Sequence, residues 1–174
     1  IKGFDRPNLS LSIIQKTDWK LQIIDFLRDR KYQPGIIYCI SRNKTEEVAT
    51  HLNQNGYKAS AYHAGLDGTI RDKIQNIFMT EPYHIIVATI AFGMGIDKPD
   101  IRFVINLGIP DSIESYYQQI GRAGRDNKPS DTLVIYGLDD LVTRRRMIEQ
   151  NDNNNDYKLI ENKRLDYLLS LCET

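Results

Sequence analysis

Residues 35–63 read GIIYCISRNKTEEVATHLNQNGYKASAYH, and the order of signals within them decides the fold. Ile36 to Ile40 is an almost unbroken run of β-formers, the pattern of a strand covered on both faces. Asn43 stands three residues before Glu46, Val48, Ala49 and Leu52 share a face, and Asn55-Gly56 closes the run. That is an N-cap, a capping-box glutamate and a C-cap glycine, so a helix is predicted over Lys44–Asn55. Lys58 to His63 then reads as another strand. A strand, a helix and a strand joined by short turns form a βαβ unit, which demands a parallel sheet.

The same alternation extends in both directions. Ile85–Ala88 and Phe103–Ile105 are further buried strands, and Thr132–Tyr136 is one more. Leu9, Leu11 and Ile13 alternate with Ser10 and Ser12, which predicts a strand with one wet face. Helices are predicted at Trp19–Arg30 behind Thr17 and Asp18, Thr69–Met79 behind Asp67, and Ser112–Ile120 behind Asp111 with Glu114 three residues on. Another is predicted over Asp139–Gln150. The tract Asn151 to Asp156 has nothing to bury and reads as a boundary. A last helix, Tyr157–Leu171, has an apolar side expected to pack on the sheet or on sequence beyond this stretch. The fold class is α/β, a mainly parallel sheet with helices on both faces.

Composition narrows the function. The 174 residues carry 23 basic and 23 acidic side chains, so affinity for phosphates must come from a local patch. No apolar run approaches the roughly 20 residues of a membrane helix. Cys39 and Cys172 are the only cysteines, and no His or Cys group has metal-ligand spacing, so no metal site is expected and a reducing compartment is. The first residue is Ile1 with no signal core behind it, and the chain reads as a piece of something longer.

Two segments have the residue types for phosphate chemistry. Gln118-Gln119-Ile120-Gly121-Arg122-Ala123-Gly124-Arg125-Asp126 places two arginines three apart between glycines. Planar guanidinium donors suit phosphate oxygens, although a glycine-rich helix exit with two solvated arginines is the plainer alternative. Val87-Ala88-Thr89 continues through Gly93, Gly95 and Asp97 off a buried strand, where amides and a carboxylate meet ligands in open parallel sheets. Lys98 stands where a third glycine would complete a dinucleotide fingerprint, which argues against a Rossmann enzyme. His63, taken alone, suits a structural histidine better than an acid-base catalyst. No phosphate-loop motif G-x-x-x-x-G-K-[ST] occurs, and no strand ends in an Asp-Glu pair, so the chain is not expected to hold a triphosphate and Mg²⁺ by itself.

Phe4-Asp5-Arg6-Pro7-Asn8, Gly35–Cys39 with Ser41-Arg42, Tyr62-His63-Ala64-Gly65-Leu66, Val87–Asp97 and Glu114–Asp126 occur in one order. Together they resemble the RecQ-type DNA helicases of superfamily 2, and the likeness covers nearly the whole chain. The resemblance implies a three-layer RecA-like lobe, the second of two that close on ATP. Residues 1–15 would be interlobe linker and first strand, 16–150 the lobe, and 151–174 a linker and the start of the helical region before a zinc-binding subdomain. It further implies that Arg122 and Arg125 act as arginine fingers on the γ-phosphate, that Gln118 couples the site, and that Gly95 and Asp97 face the nucleotide. Ser41, Arg42, His63, Gly65 and Thr89 would follow the backbone of single-stranded DNA. The implied partners are single-stranded and partly duplex DNA and the first lobe, which would bind most of the ATP and Mg²⁺. Zinc would belong downstream. The enzyme would be a 3′-to-5′ DNA helicase, in the cytoplasm and nucleoid of a bacterium or the nucleus of a eukaryote, with this lobe inactive alone. Gln119 stands where the family usually has Glu, Asn106 and Gly108 where it has His and Asp, and Ile40 where Asn is common. A non-catalytic nucleic-acid-binding or scaffold domain that keeps the fold is the rival reading.

Overall fold

A computed structural model describes residues 6–89, 97–151 and 154–173. The elements run β1 (Leu9–Gln15), α1 (Trp19–Leu27), β2 (Gly35–Cys39), α2 (Arg42–Gln54), β3 (Ala59–Tyr62), α3 (Gly68–Thr80) and β4 (Ile85–Ala88). They continue with β5 (Phe103–Leu107), α4 (Ile113–Ile120), β6 (Ser130–Tyr136), α5 (Leu138–Glu149) and α6 (Asn155–Glu173). The six strands form one sheet in the order β1-β6-β5-β2-β4-β3. Every pairing in it is parallel.

Alternation along the central strands divides the core into two layers. Ile37, Cys39, Val87 and Ile105 face α1 and α2, packing on Ile23, Leu27, Val48 and Leu52. Ile36, Tyr38, Ile86 and Val104 face the other way onto Phe78 of α3 and Ile120 of α4. The molecule is therefore a three-layer α/β domain of RecA type, with helices on both faces. A third cluster, Ile109 with Leu165 and Leu168, seats α6 against the end of the sheet, with Leu141 and Ile148 of α5 alongside.

Caps set the helix starts. Asp18 accepts the Lys20 and Leu21 amides at α1. At α2 the cap is Ser41, whose hydroxyl accepts the Lys44 amide, so the helix begins earlier than the Asn43–Glu46 spacing suggests. At α4 Ser112, not Asp111, caps by accepting the Ser115 amide. Asp67 precedes α3 without a side-chain cap bond. Gly56, at φ +85°, takes the left-handed conformation that ends α2. Asn154 Oδ1 accepts the Tyr157 amide at 2.9 Å, so the polar tract of 151–156 already starts α6.

Candidate functional site

In an all-parallel sheet every strand exits on the same edge, and β2, β4 and β3 are neighbours there. Their exits carry Ser41 and Arg42, Thr89, and His63 and Gly65. The structure thus brings together the five residues expected to follow a nucleic-acid backbone. The Thr89 amide donates to Tyr62 O at 3.4 Å, tying two of these exits. Buried His63 is fixed by two bonds: Nδ1 accepts the Gly65 amide at 3.1 Å, and Nε2 lies 2.8 Å from Glu46 Oε1. Only the neutral ring, protonated on Nε2, satisfies both. A Cβ on Gly65 would lie 3.1 Å from both Arg42 Nη1 and His63 Nδ1, so glycine lets the guanidinium lie against this loop. Glu46 is taken by His63, and Glu47 by Lys44 at 3.3 Å. Arg42 is exposed and makes no ion pair among the described residues.

A second cluster forms where α4 ends. Arg125 Nη1 lies 3.1 Å from Asp97 Oδ1, an exposed pair linking the two phosphate-type segments. Burial pushes the phenol of Tyr38 in β2 up to about 12, against the opposing pull of the Arg122 and Arg125 charges. Gln118 is exposed on α4. Gly93 and Gly95 lie outside the described residues.

Sequence reasoning missed what holds this cluster. Arg6 reaches across the chain, Nη1 to Gly121 O at 3.4 Å and Nη2 to Ala123 O and Gly124 O at 2.7 and 2.9 Å. Asn8 Nδ2 donates to Gly124 O at 2.8 Å and Lys128 O at 3.0 Å. Gly124 sits at φ +57°, and a Cβ there would stand 2.5 Å from Asn8 Nδ2. From the other side, Arg102 donates to Asp126 Oδ1 at 2.6 Å and Pro129 O at 3.2 Å. Burial opposes ionisation of Asp126, but the Arg102 bond and the Lys128 amide outweigh it and hold the carboxyl below its usual range. The only sequence signal was the motif around Arg6 and Asn8, and spacing says nothing of a partner some 115 residues away. The four departures from the RecQ pattern prove to be two contacting pairs. Asn106 Nδ2 donates to Gln119 Oε1 in a buried amide pair. Ile40 fills the space a side chain on Gly108 would need, its Cδ1 standing 2.7 Å from where a Cβ would be.

Among the described residues no group of three or more His, Cys, Asp or Glu side chains could hold a metal ion. Likewise no helix there is long and apolar enough to cross a membrane.

The model of the helicase conserved C-terminal domain matches residues 15–127. The chain is 44% identical over 173 residues to the ATP-dependent DNA helicase hus2/rqh1 of Schizosaccharomyces pombe, covering 98% of this chain and 13% of that protein. It is 46% identical over 136 residues to the ATP-dependent DNA helicase RecQ of Pasteurella multocida, covering 78% and 22%. The chain thus spans under a quarter of the length of these two relatives. Among solved structures, a DEAD box protein from Methanococcus jannaschii superposes with a TM-score of 0.67 at 26% identity, over 84% of this chain and 41% of that one. The E. coli DEAD-box protein SrmB superposes at 0.66 and 20% identity, over 76% and 79%, a likeness of fold alone. The motifs, the all-parallel three-layer sheet and these matches agree: the chain belongs to the helicase conserved C-terminal domain family, as the second RecA-like lobe of a RecQ-type helicase of superfamily 2.

Proposed function

We propose that this lobe completes the ATP site of a 3′-to-5′ DNA helicase and carries part of its track for single-stranded DNA. The observation that carries the reading is the placement of Arg122 and Arg125 on one short, doubly anchored segment beside Asp97, in a chain that lacks a phosphate loop of its own. A first lobe would hold ATP and Mg²⁺, and this lobe would present the two guanidinium groups to the γ-phosphate. There they would stabilise charge on the transferring phosphoryl group without reorganising. The Arg125–Asp97 pair is exposed, and such pairs contribute only about 0–1 kcal/mol, so Arg125 can exchange the carboxylate for a phosphate at little cost. Asp97 is then free for a ribose hydroxyl. Gly95 would approach the nucleotide through its backbone, and Gln118, exposed on α4, would couple the site to the first lobe.

Ser41, Arg42, His63, Gly65 and Thr89 would follow DNA phosphates, Ser41 and Thr89 through hydroxyls and Arg42 through its cation, with His63 and Gly65 shaping the loop beside Arg42, and such contacts read no bases. In this reading residues 1–15 lead in from the first lobe, 16–150 form the lobe, and 151–174 lead toward a further subdomain where any zinc would bind. The test is ATP hydrolysis by the full-length protein. Arg125→Ala and Arg122→Ala should each lower kcat by about 10³-fold and leave single-stranded DNA affinity nearly unchanged. Parent-like turnover in both would overturn the reading and favour a non-catalytic nucleic-acid-binding domain.

A further inference from the structure

We infer that Arg6, seconded by Asn8, is a positioning residue for ATP hydrolysis: it clamps the backbone of the Gly121–Arg125 segment and so aims Arg122 and Arg125. The inference rests on the reading of those arginines given above. One guanidinium gathers three carbonyls of this segment, those of Gly121, Ala123 and Gly124, and Asn8 takes Gly124 O a second time. These carbonyls lie just past the last turn of α4, where negative charge concentrates, and each has lone-pair capacity to fill, Gly124 O beyond the bond it accepts from the Asn127 amide at 3.0 Å. A cation that forks across three of them answers both needs. The segment also requires such a fixture. Gly121 and Gly124 give it backbone freedom, and a displaced catalytic group of about 1 Å can cost about 10²-fold in rate. Gly124 is shaped to the clamp, since a side chain there would collide with Asn8.

The clamp itself is held. Leu9 N donates to Arg6 O and Ser130 N to Asn8 O, both at 3.0 Å, so residues 6–8 are locked to the start of β6. Arg6 therefore joins the stretch leading into β1 to the arginine-bearing segment, and displacing that stretch would displace the arginines.

The experiment compares Arg6→Ala, Arg6→Lys and Arg125→Ala in the full-length protein, reading kcat, the ATP KM, single-stranded DNA affinity and amide hydrogen exchange. Arg6→Ala should lower kcat by 10- to 100-fold, with the KM and DNA affinity within twofold of the parent. Amides of 121–127 should exchange faster while those of β2 and β5 keep their protection. Arg6→Lys, which keeps the cation without the fork, should fall between. Parent-like kcat in Arg6→Ala alongside a crippled Arg125→Ala would overturn the clamp and leave the site reading standing. Faster exchange throughout the sheet, or a loss carried wholly by KM, would overturn it as well and make Arg6 an anchor of the fold. A parent-like Arg125→Ala would instead overturn the site reading on which the clamp depends.

Discussion

Arg42 is the residue for which the structure sharpens a test most. Both carboxylates that could have held it, Glu46 and Glu47, are engaged by His63 and Lys44. Arg42→Ala should therefore leave the thermal midpoint in place, weaken single-stranded DNA binding equally across sequences, and reduce the salt slope by roughly 0.7, one phosphate's worth. A filter-binding titration over several salt concentrations measures all but the midpoint. Gly35 makes a different prediction, because the ring of Phe103 occupies the place of its missing side chain, with Cε2 2.2 Å from where a Cβ would stand. Gly35→Ala should destabilise by about 1–3 kcal/mol, measured by urea unfolding. The residue scale is also where the sequence was least legible. Asn43-x-x-Glu46 and Asp111-x-x-Glu114 are well-formed cap patterns, yet Ser41 and Ser112 hold the caps. Spacing ranks local partners only, and Glu46 was drawn away to His63 by an element the pattern does not include.

At the scale of elements, α6 depends on two leucines. Leu165 and Leu168 are buried against Ile109, so Leu165→Ala should cost about 2–5 kcal/mol and raise hydrogen exchange first in α6. His84, just before β4, joins neighbouring strands through a 2.8 Å bond between its Nε2 and Ser60 Oγ. Burial lowers its pKa below 6.5, the nearby Glu81 and Lys58 charges pulling in opposite directions. The unfolded chain then binds this proton more readily than the folded one. Stability is whole above pH 6.5 and declines as the pH falls below it. The thermal midpoint should drop between pH 7.5 and 5.5, and His84→Gln should flatten that drop. The parallel βαβ pattern was legible because buried strands and capped helices each announce themselves. The setting of β1 was not: all its residues but Leu9 are exposed, where one wet face was expected. An edge strand has a single neighbour, and alternation cannot report how much of its inner face the helices cover.

For the whole molecule, two core layers with helices packed on both faces of the sheet predict that the 174-residue lobe folds by itself. Lacking a phosphate loop, it should show no DNA-stimulated ATP turnover, which a coupled phosphate-release assay would detect. Strand order lay beyond the sequence. β1 joins β6 along its whole length, with Leu9 opposite Ser130, and no local signal pairs the first strand with the last. That pairing also sets a timetable for synthesis. At about 5–20 residues per second, β1 waits roughly 6–24 s for its only partner to be made. Through that interval LSLSIIQ is an uncharged strand with no mate, and the clamp at Arg6 has nothing to grip. A ribosome stalled before β6 emerges should therefore yield a nascent chain cut within residues 9–15 by added protease, whereas the released chain should keep them intact.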